Sequence, residues 1–79
     1  MTVRRDTDGK IVLDGPCPVE DAELLCQFLQ ATPDATCDWT GCGRLHTAVV
    51  QVLMVARPAF VGPCGDPWVE TWVAPQLRP

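Results

Sequence analysis

Long apolar runs, clustered basic residues and paired metal-binding motifs are all missing from this chain. No uninterrupted hydrophobic stretch approaches the roughly 18 residues of a bilayer-spanning helix, so no membrane span is expected. The six basic residues are scattered, with Arg4 and Arg5 the only neighbours, among ten acidic residues that bring the net charge to -4. A duplex-binding surface needs clustered Lys and Arg, which makes nucleic acid a poor partner. The absence of a Cys-x-x-Cys pair weakens a thioredoxin-type role. Gly41-Cys42-Gly43 is too short to serve as a phosphate-cradling loop of the Gly-x4-Gly-Lys kind. His46 is the only histidine, and without a second clear catalytic group it makes a thin general base. No catalysis and no cofactor are expected. The opening MTVRRDTDGK lacks the apolar segment of a secretory signal, and a cytoplasmic location is expected.

What is present fits one domain spanning residues 1–79, a length at which a single core is barely sufficient. Five cysteines, Cys17, Cys26, Cys37, Cys42 and Cys64, could form a disulfide scaffold in so short a chain. Their odd number and the lack of an export signal favour reduced thiols instead. Cys26 lies in an apolar helical pattern, where cysteine acts as a small hydrophobe.

Thr2 to Arg5 and Lys10 to Asp14 read as strands joined by the turn Asp6-Thr7-Asp8-Gly9, and Pro16 and Pro18 are expected to stop strand pairing. A helix follows from Val19 to Gln30. Glu20, Asp21 and Glu23 complement its dipole, and Ala22, Leu25, Cys26 and Leu29 form its inner face. Pro33 marks its end. Thr36, Cys37 and Trp39 suit a strand ending near Asp38, Gly41 and Gly43 bracket a turn, and from Thr47 on Val49, Val52, Leu53 and Ala56 fall at helical spacing. Pro58 closes that helix, Ala59 to Gly62 is short enough for a buried strand, and Asp66 caps a last helix with Pro67 in its first turn. The order β-β-α-β-α-β-α implies an α/β fold, a mainly parallel four-stranded sheet packed by about three helices.

The phrase Asp38-Trp39-Thr40 at a strand end, followed by His46-Thr47-Ala48-Val49-Val50 opening a helix, resembles the STAS family, the fold of anti-sigma factor antagonists and of the cytoplasmic ends of sulfate transporters. In that family an Asp-hydrophobic-Ser/Thr phrase leads to an Asp-Ser-Ser/Thr-Gly-Leu phrase. Ile11-Val12-Leu13-Asp14-Gly15 and Val19-Glu20-Asp21-Ala22 look like its earlier strand, glycine and helix start. The resemblance implies a small STAS-like domain that binds a regulatory protein, such as an anti-sigma or switch kinase or a signalling scaffold. His46 stands at the family's acidic position, Ala48 at its phospho-acceptor and Val49 at its glycine. These departures imply that the usual serine phosphorylation switch is missing.

Partner contact is then expected from Asp38, Trp39, Thr40, His46 and Thr47, with the stretch from Trp39 to His46 read as a loop beyond the sheet. Thr47 reads first as a helix N-cap and second as a phospho-acceptor favoured by the helix dipole. Cys37, Cys42 and His46 form the one cluster that suggests a metal- or redox-responsive sensor. Their Cys-x4-Cys and Cys-x3-His spacings lack a fourth ligand near them, so no metal is expected. Trp68 and Trp72, four apart on one helix face, are either core or, if exposed, an interface, including that of a homodimer.

Overall fold

The chain first reverses at Asp6 to Gly9. The Gly9 amide donates to the Asp6 carbonyl at 3.1 Å, the Asp6 amide donates to the Lys10 carbonyl at 2.7 Å, and Gly9 takes a φ of 86° that other residues avoid. This turn joins β1 (Val3–Arg5) to β2 (Ile11–Cys17) as an antiparallel pair. The computed structural model describes residues 2–77. After β2 come α1 (Glu20–Ala31), β3 (Thr36–Leu45), α2 (Thr47–Ala56), β4 (Ala59–Val61), α3 (Pro67–Trp72) and α4 (Ala74–Leu77). The sheet order is β1-β2-β3-β4. β2 with β3 and β3 with β4 are parallel, so the sheet is mixed, and four helices rather than three occur among the described residues.

Strands 2, 3 and 4 advance in one direction across the sheet. Right-handed crossovers therefore place α1 and α2 on the same face. Toward that face point Ile11, Leu13, Cys37 and Trp39, all fully buried, and one core cluster joins them to Leu25, Val49, Leu53, Val69 and Leu77. The opposite face carries Arg4, Asp14, Asp38 and Thr40, which are exposed or half-buried. Alternation along the strands produces this sorting. Arg4 and Asp14 form an ion pair there at 3.1 Å, exposed and worth at most about 1 kcal/mol.

The expected loop from Trp39 to His46 does not exist. β3 runs for ten residues, through both glycines. The partners of Val12, Gly15 and Cys17 are Asp38, Cys42 and Leu45, so β3 gains one residue on β2 between Asp38 and Gly41 and another between Cys42 and Leu45. Each gain is a bulge, a place where glycine inside a strand is at home. The second bulge also lets β2 continue past Pro16 to Cys17, because the register shift takes the proline out of the ladder. Gly43 sits against that bend: a Cβ there would meet the Pro16 nitrogen at 3.1 Å. β4, read as a buried strand, is instead a three-residue edge strand with Ala59 and Val61 exposed.

His46 rather than Thr47 is the N-cap of α2. Its Nδ1 accepts from the Ala48 amide at 3.0 Å, and Thr47 occupies the first turn, exposed. α2 ends at Arg57, left-handed at a φ of 48°. Although α2 is apolar around most of its circumference, only Val49, Val50 and Leu53 are buried, while Val55 is 87% exposed.

Leu53, 1% exposed at the centre of this core, is expected to cost about 2 to 5 kcal/mol on replacement by Ala. Denaturant unfolding checks this; a loss well under 1 kcal/mol contradicts the packing described.

Candidate functional site

The end of β3 meets the segment between β4 and α3, and polar groups are gathered there. Asp66 caps α3: its Oδ1 accepts from the Trp68 amide at 3.0 Å and the Val69 amide at 3.4 Å. Pro67 in the first turn lacks the amide that would be left over anyway. The other carboxylate oxygen, Oδ2, accepts from the Leu45 amide at 2.9 Å. A side chain only 6% exposed thus satisfies donors from two elements, and each donor offsets the cost of burying the carboxylate.

Gly65 lies flat on β3. Its amide donates to the Trp39 carbonyl at 2.9 Å, and a Cβ at that position would fall 2.1 Å from the Cys42 carbonyl oxygen, so only glycine allows the approach. Beside this contact the Cys42 and Cys64 sulfurs stand 3.7 Å apart, buried. The Cys64 amide donates to Glu70 Oε1 at 2.8 Å, which holds the residue in place. Cys42 is the more acidic thiol of the pair, lowered from 9.0 to about 7. The hydrogen bond shared with the Cys64 sulfur is the main cause, and the Asp66 and Gly65 amides add to it against the opposing effect of burial. Cys64 is raised, because ionising it would break its bond to Cys42 and place a charge in a buried site.

The residues expected to contact a partner do not share one surface. Trp39 is fully buried: its indole N–H donates to the Gly62 carbonyl at 2.9 Å, and its ring stacks on Phe60 with centroids 3.9 Å apart. It is a core residue, not an anchor. Asp38 and Thr40 lie on the open sheet face. Asp38 Oδ1 accepts from the Thr40 hydroxyl at 2.7 Å and from its amide at 3.0 Å, and these bonds hold the Asp38 carboxyl below its ordinary 3.8. His46 and Thr47 are exposed just past the C-terminal end of β3, beside Pro16, Pro18 and Arg44 and separated from Thr40 by the bulged part of the strand.

Cys37, Cys42 and His46 are likewise spread along β3, and no group of three or more His, Cys, Asp or Glu among the described residues could hold a metal ion. The partner of Cys42 is Cys64, which motif spacing did not single out. Trp68 and Trp72 project from α3 into solvent, each 63% exposed, while Val69 and Val73 of the same segment are buried. They are surface, not core. No helix among the described residues is long and apolar enough to cross a membrane.

No family model, curated protein or solved structure matches the chain.

Two outcomes follow from these contacts. Asp66→Ala removes a cap, about 0.5 to 2 kcal/mol, and strands the buried Leu45 amide, about 1 to 3 kcal/mol. A total loss of about 2 to 4 kcal/mol is expected in denaturant unfolding, with Asp66→Asn intermediate because its amide group cannot accept from Leu45. A loss no larger than a surface cap gives contradicts the bridge. The second concerns Cys37, whose thiol burial pushes from 9.0 up to about 12. Above pH 9 the unfolded chain releases this proton and the folded chain does not. Stability from this group is therefore unchanged below pH 9 and falls above it, by about 1 kcal/mol between pH 9 and 10. Cys37→Ala should flatten the unfolding free energy over that interval by this amount; an unchanged slope contradicts burial of the thiol.

Proposed function

We propose that this chain is a small cytoplasmic regulatory module that binds another protein, in the manner of the anti-sigma factor antagonists it resembles, and that α3 presents the contact surface. The observation that carries the reading is the pair of tryptophans at positions 68 and 72, each 63% exposed on the outer face of α3. Exposed tryptophans four residues apart form a rigid, largely apolar patch, and tryptophan anchors are prominent among binding hot spots. The core closes without them: Trp39, Val69, Val73 and Leu77 fill the interior.

Regulation through serine phosphorylation has no counterpart in this reading. Ala48 occupies the position that the resemblance assigns to the acceptor, and its amide is taken up by His46. His46 and Thr47, both exposed, follow Leu45, whose amide donates to the α3 cap Asp66, and belong to a second, smaller contact region. The partner class is a regulatory protein, such as an anti-sigma or switch kinase or a signalling scaffold.

Affinity capture from the cells that produce the chain tests this. The wild-type chain should retain a regulatory protein, and Trp68→Ala with Trp72→Ala should weaken its capture by about 30-fold or more, the equivalent of about 2 kcal/mol, with the thermal midpoint nearly unchanged. Capture that survives both substitutions contradicts the assignment. Sedimentation of the purified chain distinguishes a second copy as the occupant of the patch.

A further inference from the structure

The Cys42 and Cys64 pair has a geometry that the recognition reading does not use, and the inference drawn from it stands apart from that reading. Buried cysteines usually behave as small hydrophobes. Here, however, the two sulfurs are in direct contact at 3.7 Å, brought together from positions 22 residues apart. The glycine beside them fits because it has no Cβ, and Asp66 and Glu70 fix the segment on both sides of it. A disulfide needs the sulfurs at about 2.05 Å, a closure of under 2 Å that two side-chain rotations and a small loop shift can share. Cys17 and Cys37 are also buried, but the Cys17 thiol donates to the Gly15 carbonyl at 3.6 Å rather than to a second sulfur.

We propose that Cys42 and Cys64 form a redox dithiol that is oxidised by a small peroxide to an intramolecular disulfide linking β3 to the segment before α3. Burial selects the oxidant class, since the two residues are 5% and 6% exposed and admit hydrogen peroxide more readily than a peptide disulfide. Cys42, the more acidic thiol, supplies the thiolate, the reactive form. Its sulfur attacks one peroxide oxygen and the O–O bond breaks. The leaving hydroxide takes a proton to become water, and Cys42 becomes a sulfenic acid. The Cys64 sulfur then attacks the Cys42 sulfur and displaces hydroxide, which leaves as water with the proton released by Cys64. Two thiols and one peroxide become one disulfide and two waters; the sulfurs lose two electrons and the peroxide gains them. The bond would tie the loop that carries α3, and with it Trp68 and Trp72, directly to the central strand.

The test uses the full wild-type chain, reduced and then treated with hydrogen peroxide, followed by unfolding, alkylation of the remaining thiols and peptide mapping. The expected product has lost two hydrogens, keeps three of its five thiols alkylatable, carries a Cys42–Cys64 cross-link and returns to five thiols with dithiothreitol. Its rate of formation should rise with pH as the Cys42 thiolate forms, below the range of an ordinary thiol. In Cys64→Ser the reaction should stop at a Cys42 sulfenic acid that dimedone traps. The proposal is overturned if Cys42 and Cys64 stay alkylatable while other thiols oxidise, if Cys42 links to Cys17 instead, or if peroxide leaves all five thiols unchanged. Should Cys64→Ser not fold, the wild-type map decides alone.

Discussion

The carboxylate of Asp66 holds the start of α3 to the end of β3. One of its oxygens caps α3 and the other receives the last amide of β3, so one buried side chain sets where the segment after β4 sits on the sheet. Three consequences follow from that position. Gly65 is pressed against Cys42, Cys64 arrives beside the same residue, and α3 is turned so that Val69 faces the core and Trp68 and Trp72 face water. A carboxylate removed from solvent is tolerable only with donors of this number and quality.

β3 provides the other half of the geometry. Its regular part sorts side chains by alternation, sending Trp39 inward onto Phe60 and leaving Asp38 and Thr40 on the open face. Beyond Asp38 its two bulges change the phase, so that Cys42 and Leu45 are buried three residues apart. Without the bulges, strict alternation would place Cys42 on the face with Asp38 and Thr40, away from the core. Extra residues in a strand re-aim side chains, and here they turn a cysteine toward the segment that the Asp66 carboxylate positions.

Features governed by neighbours in sequence were legible before the structure. The turn at Gly9, the acidic start of α1 and the Asp66-Pro67 cap each depend on a few adjacent residues and formed as read, while the apolar faces of α1 and α2 formed in part: Leu25, Leu29, Val49 and Leu53 are buried, Ala56 is exposed and Val50 is buried in its place. The β3 strand was misread because Gly41 and Gly43 are turn signals in isolation. Their role as bulge residues depends on pairing with β2, which lies more than 20 residues earlier. The same mistake placed Trp39 on a loop and made it an anchor, when two-residue periodicity continued past Asp38 sends it into the core. The contacts of Cys64 with Cys42 and of Asp66 with Leu45 left no local signal. Both are set by how a whole loop docks on the sheet, and neither residue's neighbours encode its partner. The tryptophans of α3 could be read either as core or as interface until the inner face was seen to be filled by Val69 and Val73.

The central claim is that a fold complete without them displays Trp68 and Trp72 for a protein partner. Oxidative footprinting of the tryptophans, in the purified chain and inside the cells that make it, tests this most directly. Trp39 should be protected in both settings, and Trp68 and Trp72 should be labelled in the purified chain and protected in the cell. Equal labelling of Trp68 and Trp72 in the two settings would contradict the account.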